Sequence, residues 1–228
     1  MSNSDDAARI EPLIEETIAY PHSTALSYYV NPSSGLSHRV IPSGTYLAVL
    51  KKIEALLPDL LLRTDWKTVD VDYHPPRVER VWLQYGSLRI NLHRIYTSTS
   101  SKTLFHKHPW PSSMRILQGL YEMGLGFGAE EAVPPLAATI MLNEGTAYEM
   151  INPDGWHYVN PVSDVTYSLM VSGCPWPGRE IKSSLILNEL SKEAKEEILS
   201  FFKNKYPKTP QLTPNKFKRT IRSADCKK

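Results

Sequence analysis

Three histidines in this sequence have the type and spacing to hold a metal. His106-Lys107-His108 sets two imidazoles two residues apart, and a strand turns residues i and i+2 to one face. His157 follows about fifty residues later, just after the turn-forming Pro153-Asp154-Gly155. Three neutral imidazoles meeting inside a barrel would ligate a divalent transition metal and leave coordination positions open. Such a ligand set carries no charge, so the dication would keep its own and attract an anionic substrate, a deprotonated thiol or enol, or water. With iron(II), the open positions could take substrate and dioxygen together. With zinc, the same geometry would lower the pKa of a bound water to about 7.

Other residues fit supporting roles. Arg89, Arg94 and Arg115 lie in strand-like sequence and offer bidentate contacts to a carboxylate or phosphate. Arg115 is nearest the histidine pair in sequence. Glu122 is a candidate fourth ligand or an acceptor for an imidazole N–H. Tyr148, Tyr158 and Tyr167 are candidate phenols for the cavity. The expected catalytic group is Arg115, Tyr158 and Glu122. Trp110 and Trp176, each followed by proline, could rim a pocket or simply pack in turns. His93 reads as a hydrogen-bonding residue rather than a ligand. His22, His38 and His74 lie in Pro/Ser-rich stretches and read as structural or exposed.

Positioning such a site requires strands, and strands dominate from about Val69. Val81, Leu83 and Tyr85 alternate, and so do Leu88, Ile90 and Leu92, with Tyr85-Gly86-Ser87 as a hairpin turn between them. The second of these runs interleaves Arg89, Asn91 and His93. Its polar face meets solvent in an ordinary sandwich but lines the cavity in a ligand-binding barrel. Further short strands are expected at 103–108, 113–118, 120–127, 137–142, 146–151, 155–159 and 165–172. Close-set turns without a βαβ rhythm indicate an antiparallel sandwich or small barrel. Helical spacing predicts helices over 5–20 and from about Gly44 to Leu57, where Pro58 stops the helix or starts a short extension. A third is predicted over 192–205 with Ser191 as N-cap. Residues 21–44 read as loop.

Composition narrows the function classes. The 228 residues are 41% hydrophobic and 22% charged, ordinary for a globular protein. No apolar run approaches the roughly 20 residues of a membrane helix, and the polar N-terminus does not read as a signal peptide. Cys174 and Cys226 are far apart, so no disulfide framework is expected, which suits a cytoplasmic location. From Lys203 onward there are nine Lys/Arg and one Asp, a net +8, leaving −6 for the rest of a chain whose total is +2. That tail reads as loose. It lacks the interleaved aromatics of a base-stacking element, so nucleic-acid binding is not expected.

These motifs resemble the cupin superfamily over roughly residues 78–173. The first cupin motif pairs H-x-H with a later Glu and Gly. Here Gly119 stands eleven residues after His108, while Ser112 occupies the Glu position. The second motif runs Gly, Pro-x-Gly, His, Asn. Here Gly145, Pro153-Asp154-Gly155, His157 and Asn160 follow that order with small changes in spacing. Without the glutamate, the site is similar to that of the three-histidine thiol dioxygenases, which also carry Leu-Gln-Gly after H-x-H. Ser168-Leu169-Met170 stands where those enzymes have Ser-x-His, so the likeness covers the metal site and not the substrate.

The resemblance implies a mainly β fold: a cupin double-stranded β-helix barrel with flanking N-terminal helices and a C-terminal helix. The expected layout is an N-terminal helical segment over 1–68, the barrel over 69–187, and the C-terminal helix and basic tail over 188–228. It implies His106, His108 and His157 as metal ligands, Fe(2+) first and Zn(2+) or Mn(2+) next. The expected activity is a non-haem iron dioxygenase acting on a small polar or anionic molecule. The alternatives are a zinc- or manganese-dependent isomerase, lyase or hydrolase, or a non-enzymatic cupin that binds a small ligand. A homodimer is compatible with the fold.

Overall fold

The computed structural model describes residues 45–98, 104–129, 132–179 and 186–208. The expected helix over 5–20, the loop over 21–44, His22, His38 and the basic residues beyond 208 lie outside them.

Helix α1, Thr45–Leu60, forms where Tyr46, Val49, Leu50, Ile53 and Leu57 recur at helical spacing on one buried stripe. It runs through Pro58 for two more residues instead of stopping there. Ten strands follow: β1 Lys67–Val71, β2 Val78–Tyr85, β3 Leu88–Tyr96, β4 His106–Lys107, β5 Ser112–Gln118, β6 Leu120–Phe127, β7 Ala138–Asn143, β8 Ala147–Met150, β9 Gly155–Pro161 and β10 Val165–Ser172. Helix α2, Lys192–Lys205, starts at Ser191, whose side chain accepts from the Ala194 N–H as an N-cap. The β2–β3 hairpin closes through Gly86 at φ 56°, a conformation that favours glycine.

All strand pairs are antiparallel. One sheet runs β1-β2-β3-β10-β5-β8 and the other β4-β9-β6-β7. Setting aside the β1–β2 extension, the order β3-β10-β5-β8 facing β4-β9-β6-β7 is the two-Greek-key jelly roll. This is the double-stranded β-helix of the cupin fold. The strand pattern read from the sequence is therefore realised in a mainly β barrel carrying flanking helices.

Two apolar clusters hold the molecule together. The larger lies outside the barrel, where α1 and α2 cover the outer face of the six-stranded sheet. Leu50, Ile53 and Phe202 pack there on Leu83, Ile90 and Leu169, all essentially inaccessible. Each such side chain contributes about 1.5–3 kcal/mol on burial. The smaller cluster fills one end of the barrel with Ile116, Tyr121, Met123 and Leu142. The other end is left for the histidines. No helix among the described residues is long and apolar enough to cross a membrane.

Candidate metal centre

Strand pairing brings the three histidines together. β4 pairs with β9 so that His106 lies directly opposite His157, and His108 follows just past the end of β4 on the same side. The His106 and His157 rings are 4.7 Å apart between centroids, as are those of His108 and His157. One ligating nitrogen from each residue falls within 4.8 Å of the others. His157 Nε2 and His108 Nε2 are 3.1 Å apart. Two ligands about 2.0–2.1 Å from one ion stand about 2.9 Å apart at a right angle and about 3.4 Å apart at a tetrahedral one, so this spacing fits a shared metal.

Two of the three outward nitrogens are held in the sense that coordination needs. His106 Nδ1 donates to the Leu104 carbonyl at 3.0 Å, which leaves the Nε2 lone pair facing the centre. His108 Nδ1 lies 3.3 Å from Ser112 Oγ, so the serine at the cupin glutamate position supports an imidazole. His157 Nδ1 is buried without a hydrogen-bond partner. Burial pushes the pKa of all three imidazoles down, His108 to about 3, and their mutual repulsion adds to the effect at His108 and His157. The set is therefore neutral, as ligation requires.

The imidazoles open onto a cavity of about 370 Å³, the size of a small-molecule site. The polar face of β3 lines it: Arg89, Asn91, His93 and then Ile95 point inward, while Leu88, Ile90 and Leu92 point to the helices. Of the two environments open to that strand in the sequence, the cavity is the one realised. His93 is not in the ligand cluster. Its Nε2 accepts from Arg80 Nε at 2.9 Å, the hydrogen-bonding role expected of it. Arg80 joins the cavity lining without a motif in the sequence to mark it. It lies opposite His93 in the hairpin, and its charge helps hold down the pKa of His106 and His108. Trp110 borders the cavity, with its ring 6.0 Å from that of His108 and its buried indole N–H unpartnered. His74 lines the cavity as well.

The expected catalytic group is not at this centre, and strand parity explains why. Arg115 follows the cavity-lining Met114, so it points to the opposite face, where it pairs with Glu54 of α1 and donates to the Gly145 carbonyl at 3.1 Å. Tyr158 follows the inward His157 and faces outward, where its hydroxyl donates to Glu122 Oε1 at 2.7 Å. Glu122 itself lies between the inward Tyr121 and Met123 and so shares that outer face. None of the three borders the cavity. Arg94 also faces away, bonding Glu79 at 2.5 Å and Glu197 at 2.7 Å. Tyr167 stacks on Phe201 of α2 at 3.8 Å between ring centroids. Tyr148 does point into the barrel, but its hydroxyl is engaged with Tyr121 at 2.9 Å and Met114 Sδ at 3.1 Å.

No family model matches this chain, and no curated protein matches it. Among solved structures, the chain is similar to hydroxypropylphosphonic acid epoxidase from S. wedmorenis, with 16% identity and a TM-score of 0.37 over 50% of this chain and 56% of that one. It is similar to FeII HppE, with 13% identity and a TM-score of 0.38 over 50% of this chain and 57% of that one. It is also similar to KdgF from Halomonas sp., with 16% identity and a TM-score of 0.35 over 49% of this chain and 89% of that one. The match thus spans little more than half the length of the first two. The cupin assignment stands on the strand order and the facing sheets of this chain rather than on these likenesses.

Proposed function

We propose that this chain is a metal-dependent enzyme in which His106, His108 and His157 hold one divalent ion beside a small-molecule cavity. Iron(II) is the first candidate, and oxygen-dependent oxidation, as by a dioxygenase, the first candidate reaction. The observation that carries the reading is the meeting of three neutral imidazoles, that of His157 buried and the other two partly so, on the wall of a cavity of substrate size. When bound, the ion supplies a Lewis-acidic centre and, as iron(II), a place where dioxygen and substrate meet. This chain's residues do the rest. The Leu104 carbonyl and Ser112 fix the His106 and His108 rings. Trp110, Met114 and Val159 give the cavity apolar walls that limit water around a bound molecule. Glu122 and Tyr158 have no part, because they lie on the other face of their sheet.

Elemental analysis of the purified full-length protein tests this beside His157→Ala prepared identically. One iron per chain, lost in the variant, is the expected result, followed by substrate-dependent oxygen uptake. Stoichiometric zinc or manganese would shift the reaction to metal-dependent isomerisation, elimination or hydrolysis. No metal in either protein after anaerobic reconstitution would overturn the reading.

A further inference from the structure

The charge lining the cavity is one-sided. Arg80 and Arg89 both face it, and among the described residues no Asp or Glu borders it. Among the described residues, neither guanidinium makes an ion pair, whereas Arg63, Arg77, Arg94, Arg115 and Arg179 each pair with a carboxylate. Lys107 borders the same space but sends its ammonium to the Ala129 carbonyl, 3.2 Å away.

Each arginine is nevertheless held in place. Arg80 spends only Nε, on His93, leaving its terminal nitrogens without a protein partner among the described residues. Arg89 lies flat on Trp82, with its central carbon 3.8 Å from the ring centroid, and its buried Nε has no hydrogen-bond partner. A partly buried cation without a counter-charge is costly, and two on one cavity wall repel each other. Orienting them by a histidine and a tryptophan, rather than neutralising them with acids, leaves their remaining donors for a ligand. Apolar side chains share the rest of the lining, Val78, Ile95, Met114, Val159 and Met170 among them.

We propose that the cavity binds a small organic acid, with its oxyanion held between Arg80 and Arg89 and its apolar body directed toward the three histidines. The anion-binding half stands on the arginines alone. The orientation toward the histidines rests on the metal-centre reading above. A carboxylate and a phosphate-type group offer the same oxyanion chemistry, and the test separates them.

The test titrates metal-free full-length protein by calorimetry with propanoate against propanamide, succinate against succinamide, and inorganic phosphate. At least one acid should bind about tenfold or more tightly than its amide, and both Arg80→Gln and Arg89→Gln should remove that preference. Binding of phosphate, competitive with the acids, would assign a phosphate-type group; binding of the carboxylates alone would assign a carboxylate. Circular dichroism confirms that each variant is folded. Should Arg80→Gln not fold, Arg89→Gln and Arg89→Lys carry the comparison, with lysine keeping part of the preference. Equal binding of acids and amides, no charge-dependent binding by any probe, or unchanged preference in folded variants would overturn the proposal. The His157→Ala protein should lose metal yet keep the acid preference. Failure of the metal centre is therefore distinguishable from failure of the anion site.

Discussion

The two faces of the six-stranded sheet are built from the same strands to opposite ends. On the outer face, Leu83, Ile90, Leu92 and Val171 meet two helices, and the charged groups find partners: Arg94 with Glu79 and Glu197, Arg115 with Glu54. On the inner face, the residues between them are Arg80, Arg89, Asn91 and His93, and five buried polar atoms have no hydrogen-bond partner among the described residues: Arg89 Nε, Asn91 Oδ1, His93 Nδ1, Thr166 Oγ1 and Ser168 Oγ. Buried polar atoms are normally satisfied, so a concentration of orphans on one face marks where the protein gives up stability for a site. The outer face stabilises the barrel, and the inner face lines the cavity.

The largest expected effect comes from attacking the outer face. Phe202 of α2 is fully buried against the sheet, and Phe202→Ala should cost about 3–5 kcal/mol in urea unfolding, a large share of a typical domain's stability. Metal content per folded chain, measured in the cold, should stay at the wild-type value; a parallel loss of metal would mean the two faces are not separable. A smaller and opposite pattern is expected at Ser112, which supports His108 from the inner side. Ser112→Ala should weaken metal affinity about 10–100-fold in a chelator competition while moving the urea midpoint little. Unchanged affinity would show that the hydroxyl does not orient the ring.

Much of this division was legible in the alternation of β2 and β3, but not which face would be inside. An apolar stripe on a strand points to whatever covers it, and here the cover is two helices remote in sequence. The histidine trio was legible because its residue types are rare and its local phase survives folding. Arg115, Glu122 and Tyr158 lie close in sequence to the histidines or to their strands, yet none borders the cavity. Adjacent strand residues face opposite sides, so Tyr158 beside His157 and Arg115 beside Met114 carried a parity signal against a place at the site. Arg80 carried a signal for the site. The Gly86-Ser87 turn sets Tyr85 against Leu88, and counting back along the hairpin places Arg80 opposite His93. What no count along the chain could supply was the absence of acids among the described residues of the cavity wall, which draws on seven strands from two sheets.

The smallest expected effect is the sharpest check on the comparison, because its sign is unusual. Asn91 sits on the inner face with Oδ1 unsatisfied, and its Nδ2 reaches only the Arg89 carbonyl at 3.5 Å. Leucine has the same branched outline, leaves no polar atom unpaired, and can place its larger methyl groups in the cavity that Asn91 borders. If the inner face is kept polar for ligand rather than for folding, Asn91→Leu should stabilise the metal-free protein by about 1 kcal/mol, seen as a higher urea midpoint with an unchanged slope. The same variant should bind small acids less well, since it removes a polar neighbour of Arg89. Most core substitutions destabilise, so a gain here would be hard to attribute to anything but relief of an orphaned group. A loss of stability would instead make Asn91 part of the fold's own hydrogen bonding, and the two faces would no longer divide structure from function.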